Sequence, residues 1–242
     1  MTRSPLAVQS RIVAGPSLPP VVLLHGLAGS GAEDFVRTGW VGALSAAGRS
    51  AHVIDLPGHG DSPAVDSVDA GRTSALVAAI ADTIAATGAS EVDVIAYSLG
   101  ARLAWELPTA TDVIRRLVLG GISPFEPFAS LDLAALRAAV SGSAAPVDPL
   151  TGMMAGMIGA PGLRTDSLLN LIGGLAAEPF DPHTDAPRVP TLFVAGEEDA
   201  MTDGIEDLVA LVPGALLTRV PGDHRAALDG DAFRAAALRF LS

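Results

Sequence analysis

Short, mostly apolar runs recur along the chain and alternate with stretches long enough to form helices. The runs are Val21 to Leu24, His52 to Ile54, Val92 to Ala96, Val113 to Leu119, Thr191 to Ala195 and Ala215 to Val220. Continuous apolar runs of this length are typical of parallel strands that are buried on both faces. The alternation therefore predicts an α/β fold, with a mostly parallel sheet and helices on both of its faces.

The helix-length stretches are Asp34 to Ala47, Thr73 to Thr87, Leu99 to Leu107, Gly204 to Leu211 and Ala226 to Leu241. We expect Pro108 to end the third of these helices, because proline lacks the N–H that a helix interior needs. A weaker strand signal, Arg11 to Ala14, precedes the first apolar run.

Residues 123–188 interrupt the alternation with eight prolines and only two short helical segments, Leu131 to Val140 and Ser167 to Leu175. An insertion between two strands of an α/β fold commonly lies over the carboxyl edge of the sheet. We therefore expect residues 123–188 to form a small helical cap inserted before the strand that precedes the predicted catalytic acid. The core would then comprise residues 1–122 and 189–242.

Composition excludes several classes of function. The chain has 242 residues, 49% of them hydrophobic, and a net charge of −12. One soluble domain is expected from this length and composition, and nucleic acid or an anionic membrane surface is an unlikely partner for so acidic a chain. All 15 basic residues are arginine and cysteine is absent, which excludes thiol nucleophiles, thiolate metal sites, Schiff-base lysines and P-loop nucleotide hydrolysis.

The amino-terminal residues are interrupted by charged and polar side chains. We therefore expect no signal peptide and, by default, a cytoplasmic location. The sequence does not indicate an oligomeric state.

Ser98 lies where the apolar run Val92 to Ala96 meets a predicted helix. Such a strand-to-helix turn exposes its central side chain above the sheet and requires small residues on either side, here Ala96 and Gly100. The usual motif has glycine at the first small position, so the alanine is a departure. Taken alone, Ser98 could equally be an ordinary helix cap, because serine is a preferred residue there.

Two further residues follow separate strand signals, in the order that a catalytic triad on this kind of fold requires. Asp199 ends the segment Gly196 to Asp199, and His224 ends the segment Pro221 to His224. Each could be no more than a solvated turn residue. Because serine, acid and histidine all follow strand ends in the order typical of α/β-hydrolases, we predict a triad of Ser98, Asp199 and His224.

The glycine-rich loop that begins at His25 and Gly26 follows the first long strand signal. In triad hydrolases a loop at this place supplies half of the oxyanion hole, so we predict that the Leu27 N–H acts together with the N–H of Leu99. The competing interpretation is a dinucleotide-binding loop. The spacing of its glycines, Gly26, Gly29 and Gly31, does not match G-x-G-x-x-G.

The chain resembles the α/β-hydrolase-fold serine hydrolases over nearly its whole length. The matching segments are Leu24 to Gly26, Asp55 to Ser62, Tyr97 to Gly100, Ala195 to Asp199 and Pro221 to His224. The resemblance implies an ester-cleaving enzyme that works through an acyl-enzyme intermediate on a small-molecule ester, without metal or organic cofactor. A serine at position 98 speaks against the epoxide hydrolases and haloalkane dehalogenases of this fold, which use aspartate there.

Two regions bear on the substrate. Met153, Met154 and Met157 could line an apolar binding pocket or could merely pack the cap onto the sheet. Arg102 belongs to a run, Tyr97 to Ala104, that is similar to the menaquinone-pathway synthase that eliminates pyruvate to form succinyl-hydroxy-cyclohexadiene-carboxylate. We favour the interpretation that Arg102 is a solvent-exposed partner of Glu106.

The sequence therefore favours a carboxylesterase-like serine hydrolase. A lyase of the menaquinone type with the same triad, and a non-catalytic binding protein with this fold, are the alternatives. No histidine pair has the spacing of a metal site, so no metal is expected.

Overall fold

A computed structural model describes residues 6–15 and 18–242, and its centre is one seven-stranded sheet. The strands are β1 (Val8–Arg11), β2 (Val21–Leu24), β3 (Ala51–Ile54), β4 (Val92–Tyr97), β5 (Ile114–Gly120), β6 (Thr191–Gly196) and β7 (Leu216–Val220). Their order across the sheet is β1-β3-β2-β4-β5-β6-β7. Only β1 is antiparallel to its neighbour among these pairs. The predicted mostly parallel α/β fold is confirmed.

The helices are α1 (Trp40–Ala46), α2 (Thr73–Ala86), α3 (Leu99–Ala110), α4 (Leu133–Val140), α5 (Pro149–Ile158), α6 (Thr165–Ala177), α7 (Ile205–Leu211), α8 (His224–Asp229) and α9 (Asp231–Leu241). Single turns of tighter or wider helix lie at Ala32–Val36, Asp69–Gly71 and Ala200–Thr202. None of the helices in the described ranges combines the length and the apolar character needed to cross a membrane.

Alternate residues of the central strands enter two separate apolar clusters. On β2, Val22 and Leu24 belong to one cluster, together with residues of α2, α3 and α6, whereas Val21 and Leu23 belong to the other, together with residues of α1, α8 and α9. This division follows from the alternation of side chains along a strand. Because both faces are covered by helices, the central strands must be largely apolar.

Several boundaries differ from the sequence prediction. The first strand is Val8–Arg11 and not Arg11 to Ala14, because its register is set by pairing with β3. The stretch Asp34 to Ala47 is interrupted before α1 by Gly39, whose φ is 86°. Helix α3 continues past Pro108 to Ala110, since a proline in the last turn costs a single hydrogen bond to the preceding turn.

Two further differences concern the carboxyl-terminal helix and the inserted segment. The predicted helix from Ala226 to Leu241 is two helices, α8 and α9, with Gly230 between them. The segment between β5 and β6 contains a helix, α5, that is absent from the sequence prediction. Its start has a recognisable signal, because Asp148 caps the helix by accepting the Thr151 N–H and Pro149 occupies the first turn.

Candidate active site

Ser98 lies between β4 and α3 in a strained backbone conformation, with φ of 53° and ψ of −117°. A positive φ is unfavourable for any residue with a side chain, and such strain is often found at functional positions. The turn also brings two backbones very close: a Cβ on Gly100 would lie 2.4 Å from the carbonyl oxygen of Leu24. The small residue predicted after Ser98 is therefore a steric requirement, and the sharp turn holds Ser98 at the carboxyl end of β4.

The predicted acid and base follow the two neighbouring strands β6 and β7. Nδ1 of His224 lies 2.8 Å from Oδ2 of Asp199, and the Asp199 carboxylate is almost fully buried. The other oxygen of that carboxylate accepts the N–H of Met201. Glu197, a neighbouring acid, is exposed and has no hydrogen bond to His224 among the described residues. Asp199 is thus the carboxylate that orients the imidazole.

Tyr97 stabilises the position of His224 from below. Its hydroxyl donates a hydrogen bond of 2.5 Å to the carbonyl oxygen of His224, and the two rings are in contact. Burial raises the pKa of Tyr97 far above its usual value, so the hydroxyl remains protonated and can donate. Tyr97 directly precedes the predicted nucleophile, but its role could not be predicted from the sequence, because its partner is 127 residues away.

A cavity of about 520 Å³ lies beside the carboxyl ends of β2, β4 and β5, and both Ser98 and His224 line it. In the part of the chain that the structure describes, no hydrogen bond joins the Ser98 hydroxyl to the imidazole of His224. In ligand-free enzymes the bond between nucleophile and base is often long, and it tightens when substrate binds. The two side chains thus face one space in which a carbonyl group could be placed.

The loop from Gly26 to Gly29 borders this cavity and leaves one backbone N–H without a partner among the described residues. The N–H of Gly26 bonds to Asp34, the N–H of Ala28 bonds to Nε2 of His59, and the N–H of Gly29 bonds to the Gly26 carbonyl. The N–H of Leu27 has no partner in the described part of the chain, and Leu27 lines the cavity.

The N–H of Leu99 is likewise unpaired within the described residues, and Leu99 lines the same cavity. It is the first N–H of helix α3, where no preceding turn can supply an acceptor. Two free backbone donors beside a serine are the arrangement expected of an oxyanion hole.

His25 and His59 pack edge to face beneath this loop, and both are buried. Nε2 of His25 accepts the N–H of Leu56, while its Nδ1 lies 2.8 Å from the Gly26 carbonyl. Burial lowers the pKa of His25, and burial together with the neighbouring His25 lowers the pKa of His59 to about 3. Both imidazoles are therefore neutral at physiological pH and serve as fixed hydrogen-bonding groups in the loop.

The three methionines suggested by the sequence all line the cavity. Met154 is buried, whereas Met153 and Met157 are 48% and 38% exposed. The cavity wall also contains three phenylalanine side chains: Phe125, Phe128 and Phe180. Much of the cavity wall is therefore apolar and contains flexible methionine side chains, which suits hydrophobic groups of varied shape.

Two arginines also reach the cavity, and each is paired with a carboxylate. The interpretation of Arg102 as an exposed partner of Glu106 is wrong: Arg102 is buried and forms a salt bridge of 2.5 Å with Glu126. Arg225 donates to Asp34 over 2.6 Å. The sequence could not identify these partners, because they belong to segments distant along the chain.

The family model for the alpha/beta hydrolase fold matches residues 19–141, more than half of the chain. The chain belongs to this family. The match includes β2, β4 and the turn that carries Ser98. No sequence among curated proteins matches this alpha/beta hydrolase.

Solved structures agree with the family assignment over nearly the whole chain. MenH from S. aureus has a TM-score of 0.75 at 18% identity and covers 97% of both chains. A hydrolase from Pseudomonas aeruginosa has a TM-score of 0.72 at 22% identity, covering 98% of this chain and 94% of that one. An esterase from a marine microorganism has a TM-score of 0.65 at 21% identity, covering 98% and 99%. At such identities the likeness is evidence for the fold alone.

Proposed function

We propose that this alpha/beta hydrolase is a serine-dependent hydrolase of carboxylic esters, with Ser98 as nucleophile, His224 as base and Asp199 as the orienting acid. The observation that carries the proposal is the shared cavity. A strained serine, an imidazole bonded to a buried carboxylate, and two unpaired backbone N–H groups all border it. Each group has the role that acyl transfer requires at that place.

In the proposed reaction, Oγ of Ser98 attacks the ester carbonyl carbon and its proton passes to Nε2 of His224. The carbonyl oxygen becomes an oxyanion, which the N–H groups of Leu27 and Leu99 stabilise. Asp199 accepts the hydrogen bond from Nδ1–H of His224 and stabilises the imidazolium.

The tetrahedral intermediate then breaks its bond to the alkoxy group, which leaves as the alcohol with the proton from His224. A water molecule attacks the acyl-enzyme and gives its proton to His224, after which the acid leaves and Ser98 regains its proton. These steps need only the groups named above.

The cavity wall favours an uncharged ester with an apolar acyl or alcohol group. Its surface is formed mainly by methionine, phenylalanine, leucine and alanine side chains, and both arginines that border it are paired with carboxylates of the protein. A substrate carboxylate would have to compete with those partners. The menaquinone-type lyase must bind several carboxylates, so the paired arginines argue against that alternative.

Labelling with a fluorophosphonate probe tests the nucleophile. We expect the folded protein to be labelled at Ser98, and the Ser98→Ala variant to remain unlabelled. If wild-type protein is not labelled, the non-catalytic interpretation is favoured and the proposal fails.

A panel of p-nitrophenyl esters, from acetate to dodecanoate, then tests the reaction. We expect hydrolysis that is fastest with medium-length chains, because these fill the apolar cavity. Labelling without hydrolysis of any ester, together with pyruvate release from the menaquinone-pathway intermediate, would identify a lyase instead.

A further inference from the structure

Arg102 lies one helical turn after Ser98, on the face of α3 that borders the cavity. Its Nε and Nη2 both donate to Oε2 of Glu126, over 2.8 and 2.5 Å. Nη1 donates to Oγ1 of Thr73 and Nη2 also donates to the carbonyl of Glu178. The guanidinium is thus held in place, and Glu126 is the carboxylate that bonds to it directly among the described residues, while Glu106 interacts with its charge without a direct ion pair.

Glu126 is as deeply buried as its partner: the side chains of Arg102 and Glu126 are 6% and 7% exposed. Its two oxygens also accept the N–H groups of Phe128 and Phe180, both of which line the cavity. Among the described residues Glu126 itself is not part of the cavity lining. Arg102 therefore borders the cavity, while the carboxylate paired with it lies behind the wall.

A buried cation without a partner is strongly unfavourable, and it attracts any anion that can reach it. Glu126 removes that attraction. With the carboxylate in place, a substrate carboxylate near Arg102 would meet a neutral pair and would have to lose its hydration without a free cation in return.

We propose that Glu126 is a specificity-determining residue: it neutralises Arg102 from behind the cavity wall and so makes the site selective for uncharged acyl groups. Loss of its charge turns Arg102 into a binding site for a carboxylate at the far end of the acyl chain. This inference rests on the proposed ester hydrolysis, because it names the substrate class of the same site.

Two esters with equal chain length test the proposal: p-nitrophenyl pentanoate, and the p-nitrophenyl monoester of glutarate, which ends in a carboxylate. Wild-type protein should prefer the pentanoate. In Glu126→Gln, which keeps the side-chain shape and an acceptor for one of the two backbone N–H groups, the ratio of kcat/KM for the glutarate ester to that for the pentanoate ester should rise about ten-fold or more.

The matched control is the double variant Arg102→Gln/Glu126→Gln, which lacks both charges. Its ratio should remain close to that of wild type. An unchanged ratio in Glu126→Gln, or an equal rise in the double variant, would overturn the proposal. If Glu126→Gln does not fold, Arg102→Gln supplies the opposite test: its uncompensated carboxylate should lower the ratio below that of wild type, and a ratio that did not fall would contradict the proposal.

Ligand binding provides a readout that does not depend on turnover. In a Ser98→Ala background, monomethyl glutarate should raise the Tm of the Glu126→Gln protein more than methyl pentanoate does, and should not do so with Glu126 intact. An equal response with and without Glu126 would contradict the specificity role. If wild-type protein hydrolyses no ester but monomethyl glutarate raises the Tm of the Glu126→Gln protein as expected, only the proposed ester hydrolysis is contradicted.

Discussion

The backbone N–H of Ala28 donates a hydrogen bond of 3.0 Å to Nε2 of His59, 31 residues further along the chain. Ala28 has a φ of 59°, a conformation that is strained for a residue with a Cβ. Nδ1 of His59 lies 3.0 Å from the Pro57 carbonyl, so Nδ1 carries the proton and Nε2 is the acceptor. His59 therefore stabilises the turn in which the neighbouring Leu27 N–H remains unpaired among the described residues, beside the cavity.

Replacement of His59 should impair the chemical step more than substrate binding. We expect His59→Leu to lower kcat about ten- to a hundred-fold with little change in KM, because the Leu27 donor is no longer held in place. His59→Gln, whose amide oxygen can accept the Ala28 N–H, should retain more activity. Steady-state kinetics measure both variants, and equal losses in the two would contradict the positioning role.

The buried histidines should make the protein sensitive to acid. The pKa of His59 is lowered to about 3 in the folded protein, so at intermediate pH the unfolded chain binds a proton that the native state excludes. The stability that this neutral histidine contributes is complete above the unfolded pKa of about 6.5 and is lost as pH falls towards 3. The expected loss is about 1.4 kcal/mol per pH unit for each such group.

Urea denaturation at a series of pH values measures this effect. Between about pH 6 and about pH 4, His59→Gln should show a shallower decline in the free energy of unfolding than wild type, by about 1.4 kcal/mol per pH unit. The pKa of His25 is lowered in the same direction, so a residual slope should remain in the variant. Identical slopes in the two proteins would show that His59 is protonated in the folded state.

Substitutions in the proposed triad should give graded losses. Ser98→Ala and His224→Ala should remove almost all turnover with the fold intact, and Asp199→Asn should lower kcat by a smaller factor, about a hundred- to ten-thousand-fold. Glu197→Gln, which changes a neighbouring exposed carboxylate, should stay within about two-fold of wild type. If Glu197→Gln were slow and Asp199→Asn nearly silent, the assignment of the acid would be wrong.

Gly100 should tolerate no side chain, unlike a glycine in an open helix. In Gly100→Ala the new Cβ would approach the Leu24 carbonyl oxygen to 2.4 Å, and we expect a loss of about 1 to 3 kcal/mol in the free energy of unfolding, together with reduced activity. Gly42 in α1 has nothing within 4 Å of such a Cβ, so Gly42→Ala should stabilise by about 1 kcal/mol. Thermal unfolding of both variants measures these opposite changes in stability. If Gly100→Ala were as stable as wild type, the turn at Ser98 would be able to relax around the new side chain.

The strands were largely predictable because a buried parallel strand has a local signature. β2 coincides with the apolar run from Val21 to Leu24, and β3 to β7 differ from their runs by one residue at one end or, for β5, at both ends. Helix boundaries were less predictable. The chain leaves the helical conformation before α1 at Gly39, whose φ is positive, and α3 continues past Pro108 because a proline in the last turn costs only one hydrogen bond.

At the site, the sequence pointed to Ser98, Asp199 and His224 because each follows a strand, and the carboxyl ends of parallel strands meet at one edge. The supporting residues were not predictable in the same way. Tyr97, Asp34 and Glu126 act through partners far along the chain, and nothing in their local pattern separates them from ordinary buried or loop residues. The exposed pairing expected for Arg102 was wrong for this reason.

What the sequence by itself determined was the fold class and the chain order of the three strand-end residues, because apolar periodicity and the position of a residue along the chain are local properties. The tertiary structure decided which N–H groups remain unpaired at the cavity, which carboxylate orients His224, and which charges are neutralised. Those properties depend on distances between segments that only folding brings together, and hydrogen bonds and ion pairs are strong only at short range.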